Sequence, residues 1–249
     1  MGSYKLYTKE PIETIEDIIL HEAIPLGLKE LSEKLEKNNL VITRQKIINK
    51  IPLLITRGMT LLRQRGEDGK KIYELFHGCI LAAFLDRIEP NFQHIVCYPE
   101  DSSYDFLIIP HLINKKPDFI LSKKEIYKEK GPILKVELAE IVKIEDLEKI
   151  IIDKSKDRKR ILLLSIAFNG KINFKEVFNK TLFANKKNFE TIWLLGQTIN
   201  PNDKNKLCYF LCELVKYKKI FPLFELLIKW SKIKNELNGI LIKIKNNAS

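Results

Sequence analysis

Residues 161–167, Ile-Leu-Leu-Leu-Ser-Ile-Ala, form an apolar run broken by a single hydroxyl. A strand sends successive side chains to opposite faces, so a run that is apolar throughout has to be covered on both. Helical spacing flanks it. Residues 144–160 carry Leu147, Ile150 and Ile151 with an increasingly basic end, and 173–183 give another helix before a strand at 189–195. Upstream, 93–98, 104–109, 118–121 and 133–142 are short apolar segments bounded by Pro, Asn, Asp and Gly, and read as strands. Before them, the centre of 72–88, Cys79 to Leu85, is apolar nearly all round, as in a helix buried on more than one side. The expectation is an α/β chain with a mixed sheet flanked by helices.

The first third is helical by spacing. Apolar residues recur at turns of the helix in 11–20, in Leu28, Leu31 and Leu35, and in Ile47, Ile48, Ile51 and Leu54. Residues 60–73 then contain Asp68-Gly69, a turn signal for a β-hairpin. Three helices and a hairpin make a winged-helix-like module, with Arg44 and Lys46 opening its recognition helix. A helical cap with no base contacts is the alternative. At the other end, 203–218 and 222–237 read as packing helices with Phe224 and Trp230 as anchors, ahead of a short strand at 240–242 and a frayed tail. The division expected is 1–70, 71–200 and 201–249.

Charge narrows the partners. A net charge of +11 favours a polyanion, since Lys and Arg neutralise phosphates and release their counterions, although a Lys-rich composition alone gives the same balance. Cys79 and Cys97 lie in apolar runs, and Cys208 and Cys212 have helical spacing, so all four read as core residues rather than zinc or iron–sulfur ligands. Gly27, Gly170 and Gly196 build no phosphate-cradling loop, which argues against ATP or dinucleotide binding. The charged opening Met1-Gly2-Ser3-Tyr4-Lys5 and the lack of a long uncharged stretch point to a cytoplasmic chain without a membrane partner.

Two strand candidates each carry one carboxylate: Asp118 in Lys116-Pro117-Asp118-Phe119-Ile120-Leu121, and Glu137 in Ile133-Leu134-Lys135-Val136-Glu137-Leu138-Ala139. A hard divalent cation takes oxygen ligands and keeps several waters, so such a pair suits Mg²⁺ or Mn²⁺ set against a phosphate. Over 71–195 the pattern resembles the PD-(D/E)xK nuclease superfamily, where Pro-Asp on one strand precedes Glu-x-Lys on the next. The resemblance implies a restriction-endonuclease-like fold and hydrolysis of phosphodiester bonds, with Asp118 and Glu137 as metal ligands.

Ala139 stands where that motif has its lysine. Lys135 shares the face of Glu137 and lies roughly 7 Å back along the strand. Lys149, Lys154 and Lys156 in the following helix are the other sources, as in cap-snatching viral endonucleases that draw lysine from the next helix. Lys154 and Lys156 rank above Lys135. Asp105 also opens an apolar strand and competes with Asp118, which is preferred, for the first-aspartate position; it otherwise supports that site or a second metal. Glu140 points away from Glu137 in a regular strand. The resemblance further makes Glu74 a metal-ligand candidate and brings its neighbour His77 into view, although a lone histidine in an apolar helix is more often a satisfied core residue. Arg158, Lys159 and Arg160 would grip phosphates, or simply form a solvated helix end.

A metal-dependent nuclease is therefore expected, with DNA favoured over RNA as substrate. An inactive nuclease-like DNA-binding or assembly subunit is the alternative, and a purely structural or regulatory role ranks third. Homodimers and larger protein complexes both stay open.

Overall fold

The computed structural model describes residues 18–38, 51–97, 104–112, 133–155, 160–168, 170–185, 189–199, 207–216, 219–220 and 224–225. These belong to two compact units, one drawn from 77–198 and 208–224, the other from 9–76, 199–207 and 225–249.

The second unit is helical among its described residues. A π-helical turn, Ile18–Ala23, runs directly into α1, Ile24–Glu36, whose Pro25 lacks the N–H that a continuous helix would use. Helix α2 spans Ile51–Arg63 and buries Ile51, Leu54, Ile55, Met59 and Leu62. The two segments meet backbone to backbone. A Cβ on Gly58 would lie 1.8 Å from the Ala23 carbonyl oxygen, and one on Gly27 2.3 Å from that of Leu54. Glycine costs a helix interior roughly 0.5–1 kcal/mol, and here the close approach offsets that cost.

The hairpin expected over 60–73 does not form. Residues 60–63 complete α2, Gly66 turns the chain at φ 81°, and α3, Glu67–Ile88, begins with an acidic first turn that suits the helix dipole. Asp68-Gly69 lies inside α3, where a glycine lets the chain pass close to the Leu62 carbonyl, 2.1 Å from the position of an added Cβ. The winged-helix expectation loses its wing. Its proposed recognition helix, with Arg44 and Lys46, lies outside the described residues.

The other unit is built on the sheet. Strands β1 (Phe92–Cys97), β2 (Phe106–Leu112) and β3 (Leu134–Ile141) are antiparallel neighbours. A 3₁₀ turn at Ile144–Asp146 and helix α4, Leu147–Lys154, lead to β4, Arg160–Ile166, parallel to β3. Helix α5, Phe174–Asn185, leads in turn to β5, Phe189–Ile199, parallel to β4. Strand β6, Leu207–Glu213, and the two-residue strands β7 (Lys219–Ile220) and β8 (Phe224–Glu225) extend that edge. The architecture is α/β with a mixed sheet.

Three helix expectations are corrected, one of them at 222–237, where Phe224–Glu225 form strand β8 instead of opening a packing helix. The segment 144–160 is helical only to Lys154, and Arg160 already belongs to a strand. Residues 207–213, expected within a helix, form β6. Cys208 and Cys212 misled because four residues make about one helical turn and also two full strand alternations, so the spacing fits both. The neighbours decide, since Cys208, Tyr209, Leu211 and Cys212 are all buried, as in a strand covered on both faces. Residues 226–249 lie outside the described set.

Each sheet face has its own cover. On one, Ala139 and Ile141 of β3, Leu162 and Leu164 of β4 and Ile192 and Leu194 of β5 share a buried cluster with Leu147 and Ile151 of α4 and Val177 and Ala184 of α5. On the other, a Cβ on Gly78 of α3 would meet Val96 and Phe106 at 2.9 and 3.0 Å, so this helix lies directly on β1 and β2.

Overpacking a close helix contact costs about 1–3 kcal/mol. Gly58→Ala is expected to lower the urea midpoint of unfolding by that equivalent, and an unchanged midpoint would contradict the close packing at Ala23.

Candidate active site

From Glu137 to the end of β3 is four residues, about 13 Å of strand. The chain then turns, and α4, eight residues long, rises about 12 Å. Equal lengths bring the last residue of the helix level with Glu137. Lys154 Nζ lies 2.5 Å from Glu137 Oε1. The glutamate is 8% exposed and the lysine side chain 40%, so the ion pair opens to water on the lysine side.

Asp105 meets the same stretch of β3 from the neighbouring strand. Cα partners Phe106 with Val136 and Leu107 with Lys135 set the register, which carried one residue further stands Asp105 beside Glu137 on the same face. Its backbone N–H donates to the Val136 carbonyl at 3.1 Å, and its Oδ2 accepts the Leu138 N–H at 2.6 Å. Hydrogen bonds to a carboxylate are short and strong, so this one holds the Asp105 side chain against β3. Two carboxylates and one ammonium thus gather at adjoining positions of β2, β3 and α4.

Ala139 leaves room for the helix that carries Lys154. Its methyl group is packed in the cluster that includes Leu147, Ile151, Leu162 and Leu164, so α4 fills the space a strand lysine would enter. Lys154 follows Ile151 by three residues, close to one turn, and so projects from nearly the same side of α4.

Lys135, the other candidate, is engaged elsewhere. Its Nζ sits 5.0 Å from the centroid of the Tyr104 ring, within cation–π range. Glu74 is buried on α3 with Lys70 Nζ 3.3 Å from its carboxylate. His77 shares a 2.9 Å hydrogen bond with the Ser165 hydroxyl, both groups buried, on the sheet face opposite Glu137. Glu140, opposite Ser165 in the register, takes that face too, as strand alternation requires. Asp118, Lys156, Arg158 and Lys159 lie outside the described residues, while Arg160 opens β4.

The sequence reading overlooked Tyr104 and Ser165. The first had a signal in its place directly before Asp105, and the second in being the one polar residue of an apolar run. Burial pushes the Cys79 and Cys212 thiols up to about 12, with the charge of Glu213 adding to the effect at Cys212, so both stay protonated at neutral pH and act as apolar packing.

Among the described residues no three His, Cys, Asp or Glu side chains gather as a metal-binding group. Mg²⁺ is commonly held by one or two carboxylates, with waters and substrate phosphates completing its shell, and the oxygens of Asp105 and Glu137 fit that demand. No family model, curated protein or solved structure matches the chain.

Restoring a lysine on the strand is expected to harm the fold rather than repair a motif. An Ala139→Lys variant would bury an ammonium among Leu147, Ile151, Leu162 and Leu164, costing several kcal/mol. Thermal unfolding checks this. A wild-type melting temperature in the variant would show that α4 does not occupy the position.

Proposed function

We propose that this chain is a metal-dependent nuclease of the PD-(D/E)xK kind, with Asp105 and Glu137 as its acidic pair and Lys154 in place of the missing strand lysine. The reading rests on one observation above the others: two carboxylates from neighbouring strands and a lysine from the next helix adjoin on one face of the sheet. The order helix, three antiparallel strands, helix, parallel strand supports it, being the order that the sequence resemblance implies. The charge of +11 supports a polyanionic substrate, with DNA favoured over RNA.

Asp105 takes the first-aspartate role in this proposal, ahead of Asp118, because its carboxylate is fixed next to Glu137 by the Leu138 N–H. Asp105 and Glu137 would hold Mg²⁺ or Mn²⁺. Such an ion supplies Lewis-acid polarisation of the phosphate and a bound water that loses its proton more readily than bulk water. Lys154 Nζ, at the water-facing end of its ion pair, would orient the attacking water and balance charge developing on the phosphate oxygens. Ala139 and the α4 residues packed on it keep the apolar side of the site dry.

Incubation of the purified chain with single- and double-stranded DNA and RNA in Mn²⁺ tests the reading. Cleavage is expected in the wild type and is expected to vanish in Asp105→Ala and Glu137→Gln. In Lys154→Met it should fall by roughly 10²- to 10³-fold, the usual loss for one group that stabilises transition-state charge. Circular dichroism melts of Lys154→Met report whether the fold is kept when buried Glu137 loses this partner, so that lost cleavage is read only from a folded variant. A wild type inert on every substrate, or variants as active as it, would sink the proposal.

A further inference from the structure

We propose that Lys135 and Tyr104 form a second contact for the substrate strand, in which the lysine binds the phosphate next to the one that is cut. The inference rests on the nuclease reading for which phosphate is cut, but the contact itself is a matter of binding.

The geometry comes from both strands at once. Along β3, Lys135 and Glu137 share a face and stand roughly 7 Å apart, two strand residues. Across to β2, Tyr104 immediately precedes Asp105, so the lysine–ring pair and the acidic pair are built from the same two stretches of backbone. Successive phosphates of one nucleic-acid strand lie about 7 Å apart through space, because the strand winds as it advances, so a lysine rooted ~7 Å from the acidic pair can reach a neighbouring phosphate.

Two carboxylates repel an approaching phosphodiester, and cations beside them offset that repulsion. Lys154 is held by Glu137, whereas Lys135 is held by an uncharged ring and keeps its full positive charge for a ligand. The ring also restrains the flexible four-carbon stem, and ordering a lysine before binding lowers the entropy lost on contact. Both residues are partly buried, so each retains access to water. Lys135, two residues short of Glu137 and drawn to Tyr104, is thereby a binding group, with Lys154 left to the water.

Fluorescence anisotropy with a labelled single-stranded oligonucleotide, in buffer without divalent metal and over a series of KCl concentrations, reads binding without turnover. Lys135→Met is expected to weaken binding by roughly ten-fold and to reduce the slope of log affinity against log salt by about one. Lys135→Arg should restore both, since it keeps the charge and stacks on an aromatic ring. Circular dichroism melts of the variants report whether the fold is intact. Unchanged affinity and slope in Lys135→Met overturn the proposal, as does loss of affinity with the wild-type slope retained. A wild type that binds but cuts nothing in Mn²⁺ sinks the nuclease reading while these binding outcomes still decide the role of Lys135.

Discussion

The contact between Lys154 and Glu137 depends on the length of one turn-and-return unit. Strand β3 runs four residues beyond Glu137, and α4 comes back over nearly the same distance. Shortening either by one residue would rotate the terminal side chain by about 100° on the helix or flip it to the other face on the strand. The small side chain of Ala139 lets the helix lie close enough for the match to matter. The alanine at position 139 and the placement of Lys154 beside Glu137 are therefore linked through one packing arrangement.

The sheet separates two kinds of polar chemistry. On the face covered by α4, Glu137 is buried and meets a partner, Lys154, that reaches water. On the face covered by α3, His77 and Ser165 satisfy one another out of solvent. A buried pair of this kind ties the helix to β4, because the Ser165 hydroxyl without the imidazole would lose a buried hydrogen bond at a cost of about 1–3 kcal/mol. At the far end of α3, Asp86 accepts both the backbone N–H and a ring contact of buried His94, at 2.7 and 2.8 Å. These contacts hold the helix that backs β1 and β2, and so hold the strand from which Asp105 projects.

The sequence made the sheet legible through runs whose period was unambiguous. The continuous apolar stretch after residue 160 became β4, and the segment around Glu137 became β3. It was least legible where one spacing satisfies two periods, as at Cys208 and Cys212, and where a turn dipeptide fell inside a helix, as at Asp68-Gly69. At the site, alternation along β3 gave the common face of Lys135 and Glu137, and the following helix was already a source of lysine. The ranking of Lys154 above Lys135 was legible too, whereas the ion pair of Lys154 with Glu137 and the contact of Lys135 with the Tyr104 ring depend on tertiary packing that no local pattern carries. Asp105 ranked low because no proline precedes it; its hydrogen bond to Leu138 comes from a residue 33 positions away.

As one ligand set, Asp105 and Glu137 would hold the ion between them. Crystals grown with Mn²⁺, measured at the manganese absorption edge, would locate the ion by its anomalous signal. The expected result is a peak bounded by the Asp105 and Glu137 carboxylates that disappears in Glu137→Gln. A peak held by other residues, or no peak in crystals saturated with Mn²⁺, would contradict it.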